Sequence, residues 1–70
     1  MDCNKAIGQN LNRLRLRAQL TQEQLCELAE VDRSYLQRLE KGSSSPTLEV
    51  MVRIKKALNC NWAELLRKIG

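Results

Sequence analysis

Between Val31 and Gly42 the chain reads VDRSYLQRLEKG. Its outward face is crowded with hydrogen-bond donors, most of them on long stems, rather than the nucleophile–base pairs or ligand clusters of an enzyme. On a helix turning about 100° per residue, Leu36 and Leu39 mark an inner direction. Ser34, Gln37, Arg38 and Lys41 fall on the opposite side, and Arg33 sits on the flank near the N-terminal end. A donor-rich face of this kind is either ordinary solvated surface or is built to meet acceptors. The B-DNA major groove admits one α-helix, has phosphate walls, and presents guanine N7 and O6 as paired acceptors. Arginine forks onto that pair, while serine is short and serves either base type. Arg33, Ser34, Gln37 and Arg38 are therefore the candidate base contacts.

These residues need a scaffold, and the sequence supplies short capped helices. Ile7, Leu11, Leu14 and Ala18 step along one face of a first helix spanning about Asn4 to Ala18. Thr21 with Gln24 forms a capping box opening a second helix whose inner face reads Leu25, Leu28 and Ala29. Asp32 caps the third helix and Gly42 ends it. After GSSSP, Thr47 caps a fourth with Leu48, Met51, Ile54, Ala57 and Leu58 inward. Asn61 with Glu64 opens a fifth, carrying Trp62, Leu65, Leu66 and Ile69. The turn between helices two and three, around Glu30 and Val31, is too short for an antiparallel pair. The two must cross steeply, which is helix-turn-helix geometry. Glu40 lies about 40° from Leu36 on the wheel and Arg15 about 40° from Leu11. A carboxylate so close to an apolar seam needs a partner, and an Arg15–Glu40 ion pair across helices one and three is expected.

Composition limits the alternatives. With 70 residues the chain fits one domain, 1–70, and helix formers dominate without strand-like alternation. An all-α fold of five compact helices is expected. The net charge of +4 leans mildly toward polyanionic partners. Three widely spaced cysteines, with no CxxC pair and no histidine, read as reduced thiols of a cytoplasmic protein and give neither a disulfide framework nor a metal site. No apolar run is long enough to span a bilayer, so no membrane partner is expected. Without histidine, a Gly-rich phosphate loop or a base near Ser43–Ser45, neither enzymatic chemistry nor a cofactor is expected.

The segments IGQNLNRLRLRAQ, LTQEQLCELA, RSYLQRLEKG and PTLEVMVRIKKAL, followed by a capped closing helix, resemble the five-helix Cro/C1-type helix-turn-helix domain of phage repressors and related bacterial regulators. The resemblance runs from Ile7 to Leu66. It implies a lambda-repressor-like fold that reads double-stranded operator DNA. Arg33, Ser34 and Arg38 match base-touching positions. Thr21, Gln22, Tyr35, Lys41, Ser43, Ser44 and Ser45 match phosphate-facing ones, and Gln22 also braces the recognition helix. Arg15 and Glu40 match a family ion pair. Two positions depart from the pattern: Gln19 and Glu30 stand where many members carry glycine. If those backbones are left-handed, each costs on the order of 1 kcal/mol.

One recognition helix reads only a few base pairs, so specific affinity calls for two half-sites about one DNA turn apart. A homodimer on a pseudo-palindromic operator is expected, with Trp62, Leu65, Leu66 and Ile69 divided between the core and a twofold-related copy. The alternative is that helix five is simply the last core helix. Glu23 and Glu27 form an outward acidic pair, matching the patch with which related activators touch RNA polymerase; a solvated face is the alternative. Within DNA binding, the DRSY opening of helix three is similar to restriction–modification controllers. A phage or plasmid repressor, or an antitoxin that also grips a toxin, are the rival readings.

Overall fold

The structure is a computed structural model describing residues 2–69. It contains α1 (Cys3–Arg17), α2 (Gln22–Ala29), α3 (Arg33–Lys41), α4 (Leu48–Leu58) and α5 (Trp62–Leu65), with no strand among the described residues. Every helix starts on a side-chain cap. Asp2 accepts from the backbone N–H of Asn4 and Lys5, Asp32 from Ser34, and Thr47 from Val50. The Thr21–Gln24 and Asn61–Glu64 capping boxes both form.

The first four helices also end alike. Gln19, Glu30, Gly42 and Asn59 adopt left-handed φ values of 61°, 57°, 79° and 52°. The next residue's N–H then reaches back to an orphan carbonyl: Leu20 to Arg15 O, Val31 to Cys26 O, Ser43 to Arg38 O and Cys60 to Lys55 O, at 3.0–3.3 Å. This Schellman geometry satisfies the helix end and turns the chain back toward the core. Leu20 and Val31 are half-buried against that core, and Cys60 is within it.

Leu11 and Leu14 of α1, Leu25, Cys26 and Ala29 of α2, Leu36 and Leu39 of α3, Val50, Ile54 and Leu58 of α4, and Leu65 form the core. α1 packs on α3, α2 on both α3 and α4, and α5 returns to α1. Gly8 allows the α1–α3 approach: a Cβ there would lie 2.4 Å from Leu39 O and 2.6 Å from Glu40 O. At Gly42 a Cβ would lie 2.8 Å from Lys5 Cα, so α1 also seats the last turn of α3.

Several inner-face expectations are corrected. Leu28 is 59% exposed and Cys26 is buried instead. The mean direction of Leu25, Cys26 and Ala29 lies about 105° from Leu28 on the wheel. Leu48 is 73% exposed because α4 buries the Val50–Ile54–Leu58 row, whose mean direction lies about 120° from it on the wheel. Ala18 is exposed at the end of α1, and Ile7, Met51 and Ala57 are half-buried. Helix five is a single turn, so Ile69 lies beyond it, after Lys68 has taken a left-handed φ of 68°.

Candidate nucleic-acid interface

Leu36 and Leu39 anchor α3 at 0% and 1% exposure, and Arg33, Ser34, Gln37, Arg38 and Lys41 are all exposed. Arg33, Gln37 and Lys41 make no side-chain hydrogen bond among the described residues, so their donors are free to meet a ligand. Ser34 is not free in the same sense. Its backbone N–H donates to Asp32 Oδ2 at 3.1 Å, and its hydroxyl donates to the same oxygen. The Ser34 hydroxyl bond leads the contacts that hold the Asp32 carboxyl below its ordinary pKa. Arg38 donates from Nε to Ser44 Oγ at 3.2 Å, and its guanidinium sits 5.7 Å from the Tyr35 ring centroid. The two terminal nitrogens of its fork stay unbonded among the described residues.

The expected phosphate contacts flank this face from two elements. Thr21 and Gln22 stand at the start of α2, where Thr21 Oγ1 is used to cap the Gln24 N–H. Ser43–Ser45 follow α3 and are tied to it. Ser43 Oγ donates to Arg38 O at 3.2 Å, and Tyr35 Oη donates to Ser45 O at 3.4 Å. The loop is therefore fixed on the recognition helix, with polar groups at both ends of the exposed face.

Beneath lies a buried polar cluster centred on Glu40. Arg15 Nε donates to Glu40 Oε2 at 2.8 Å and Nη2 to Oε1 at 3.2 Å; the side chains are only 11% and 7% exposed. Arg15 Nη1 donates to Leu20 O at 2.8 Å, which ties the pair to the turn before α2. Asn12 Nδ2 and Gln22 Nε2 donate to Oε1 at 2.9 and 3.4 Å. Burial pushes the Glu40 carboxyl pKa up, but the Arg15 and Asn12 hydrogen bonds, the Arg15 charge and the Gln22 amide outweigh it and hold the group below the usual range. One carboxylate thus links α1, the start of α2 and α3. Sequence reasoning paired Arg15 with Glu40 but missed Asn12, whose place one helical turn before Leu16 gives no apolar signal.

Of the residues expected to divide between core and partner, Leu65 is core at 1% exposure, while Trp62 and Leu66 are each 37% exposed and Ile69 is half-buried. Lys55 Nζ lies 5.6 Å from the Trp62 ring centroid. Asn10 holds this end, a role with no sequence signal. It is 2% exposed, donates from Nδ2 to Leu65 O at 2.9 Å and to Arg67 O at 2.8 Å, and accepts from Arg13 Nη2 at 3.2 Å. Arg17 Nη1 meets Glu64 Oε2 at 2.7 Å on the surface, and this hydrogen bond moves the Glu64 pKa down and that of Arg17 up. Glu23 and Glu27 are exposed on α2. Cys3 is exposed, Cys26 and Cys60 are buried, and all three are free thiols. No three metal-ligating side chains cluster among the described residues, and no helix there is long and apolar enough to cross a membrane.

Two short helices meeting at a left-handed corner, with the second held from behind and its donors outward, define a helix-turn-helix DNA-binding domain. The family model described as Helix-turn-helix matches residues 11–65, and the chain belongs to this family, in its Cro/C1-type form, as a transcriptional regulator. It is 35% identical over 66 residues to the uncharacterised HTH-type transcriptional regulator y4dJ of Sinorhizobium fredii, covering 94% of this chain and 86% of that one. It is 31% identical over 70 residues to the control protein C.SmaI of Serratia marcescens, covering 100% and 83%. Among solved structures it is similar to the restriction–modification controller protein C.AhdI of Aeromonas hydrophila, with a TM-score of 0.84 and 34% identity over 89% of this chain and 94% of that one. The clp gene regulator ClgR of C. glutamicum superposes with a TM-score of 0.87 at 28% identity, covering 91% and 82%.

Proposed function

We propose that residues 1–70 work as one sequence-specific DNA-binding domain. It binds as a homodimer to a pseudo-palindromic operator with α3 in the major groove, and it serves as a restriction–modification controller. The observation that carries the reading is the exposed α3 face, where Arg33, Gln37 and Arg38 turn donors outward while Leu36, Leu39 and the Glu40 cluster fix the helix from behind. Similarity to two controller proteins over nearly the whole chain supports the controller role. Trp62, Leu66 and Ile69 supply the apolar surface for the second copy, and Glu23 and Glu27 the surface that RNA polymerase would meet. Such a regulator acts in the cytoplasm, where its operator is.

Binding-site selection from random duplexes is expected to return an inverted repeat with centres about one helical turn apart. Sedimentation is expected to give a dimer at tens of micromolar. Arg33→Ala or Arg38→Ala should each cost about 1–3 kcal/mol and relax preference at particular base pairs, whereas Lys41→Ala should weaken all duplexes alike and flatten the salt dependence. Uniform losses from all three variants would refute the division of roles. A monomer that enriches no sequence would refute the function.

A further inference from the structure

We infer that Ser34 reads its base as a hydrogen-bond acceptor, so that the base it contacts at the N-terminal end of α3 is the amine-bearing member of its pair: adenine through N6 or cytosine through N4. The inference rests on the proposed docking of α3 in the major groove and sharpens it. A serine hydroxyl has one hydrogen and two lone pairs, and by itself it serves either base type. Here the hydrogen is committed. Ser34 Oγ donates to Asp32 Oδ2, the carboxylate oxygen that also accepts the Ser34 backbone N–H at 3.1 Å as the helix N-cap.

Rotating the hydroxyl away would give up a charge-assisted bond, among the stronger hydrogen bonds in proteins. It would gain a neutral bond to guanine O6, guanine N7 or thymine O4. What Ser34 turns toward the groove is therefore a lone pair. The Asp32 carboxyl, held below its ordinary pKa first by this same hydroxyl, stays ionised at neutral pH and keeps the hydroxyl oriented. Major-groove donors are restricted to adenine N6 and cytosine N4, so the orientation excludes two of the four bases as direct Ser34 partners. Arg33 and Arg38, which carry only donors, take the guanine edges on either side.

The test compares binding-site selection by the full chain with selection by Ser34→Ala and Asp32→Asn. Ser34 is exposed, so Ser34→Ala should fold as the parent does, checked by its melting curve. The parent should enrich one base pair at one position of each half-site, and the adenine or cytosine of that pair is the base Ser34 contacts. Ser34→Ala should lose discrimination at that position alone, by about fivefold or more. Asp32→Asn keeps an N-capping side chain and lets the hydroxyl turn, so the same pair with its strands exchanged, which puts thymine or guanine where the amine-bearing base stood, should become tolerated there. Replacing the selected base by its analogue without the exocyclic amine should weaken the parent and leave Ser34→Ala unaffected. An amine-free analogue that binds the parent as tightly as the natural base, or that weakens Ser34→Ala equally, or no position relaxed by Ser34→Ala, overturns the inference while leaving DNA reading by α3 intact. Enrichment of no sequence by the parent overturns the docking itself.

Discussion

At the scale of single residues, Glu40 decides most. A carboxylate this buried is tolerated because Arg15 meets it with two donors, one to each oxygen, and Asn12 and Gln22 add two more at Oε1. Removing one partner of a buried pair leaves the other charge uncompensated, at a cost of about 3–5 kcal/mol, whereas replacing both by apolar groups is often neutral. Glu40→Met or Arg15→Met alone should therefore take most of the stability of a domain this small, and the double variant should recover much of it. A double-mutant cycle from urea unfolding measures the difference; strictly additive losses would contradict coupling. Because the Glu40 carboxyl pKa is depressed by folding, its contribution is fully present above the unfolded value of about 4.3 and is lost as pH falls through the lower folded value. The melting temperature should drop through that acid window, less steeply in Glu40→Gln. The Arg15–Glu40 pair was legible from the wheel because both charges sit beside apolar stripes. Asn10 and Asn12 were not, since a buried amide has no periodicity of its own.

At the scale of elements, helix starts were far more legible than helix ends. An N-cap needs a side-chain oxygen, and Thr21, Asp32, Thr47 and Asn61 announce themselves by residue type. A Schellman ending needs only a left-handed backbone, which glycine signals and glutamine or glutamate does not. Gln19 and Glu30 adopt φ values of 61° and 57° all the same, held by the 6→1 bonds behind them and, at Glu30, by Arg53 Nη1 donating to its carbonyl at 3.1 Å. Their conformations were anticipated only as a consequence of the family resemblance. Each forces an L-residue into a region costing about 1–2 kcal/mol, against which glycine brings about 0.4–1 kcal/mol of extra unfolded-state entropy. Glu30→Gly and Gln19→Gly should thus each stabilise the domain, by up to about 1 kcal/mol, or several degrees in Tm. Glu27→Gly within α2 should instead cost about 1 kcal/mol. Chemical denaturation of the three variants checks this, and a loss at Glu30→Gly as large as at Glu27→Gly would rule out strain at the corner.

For the whole molecule, the open question is how one small domain gains an operator's worth of contacts. The protomer measures 30 × 22 × 21 Å, so two copies set side by side can bring their recognition helices to the spacing of one DNA turn, about 34 Å. In the proposed dimer the meeting surface is the C-terminal end, where Trp62 and Leu66 remain 37% exposed. That end has little rigidity of its own, because α5 is a single turn. It is held from inside by Asn10, whose amide donates to Leu65 O and Arg67 O, and from outside by the Arg17–Glu64 pair. The outer ion pair is solvated and contributes little; the buried amide leaves two carbonyls unsatisfied when removed. Asn10→Ala should therefore raise the dimer dissociation constant without any contact to the partner. Operator affinity should fall with it, while the base preference set by α3 stays as it was. Arg17→Ala should leave the dimer nearly unchanged, and Trp62→Ala should weaken it through the surface directly. Sedimentation equilibrium alongside binding-site selection separates these outcomes. If Asn10→Ala lowers Tm yet dimerises as tightly as the parent, the segment it anchors is not the surface on which two copies meet.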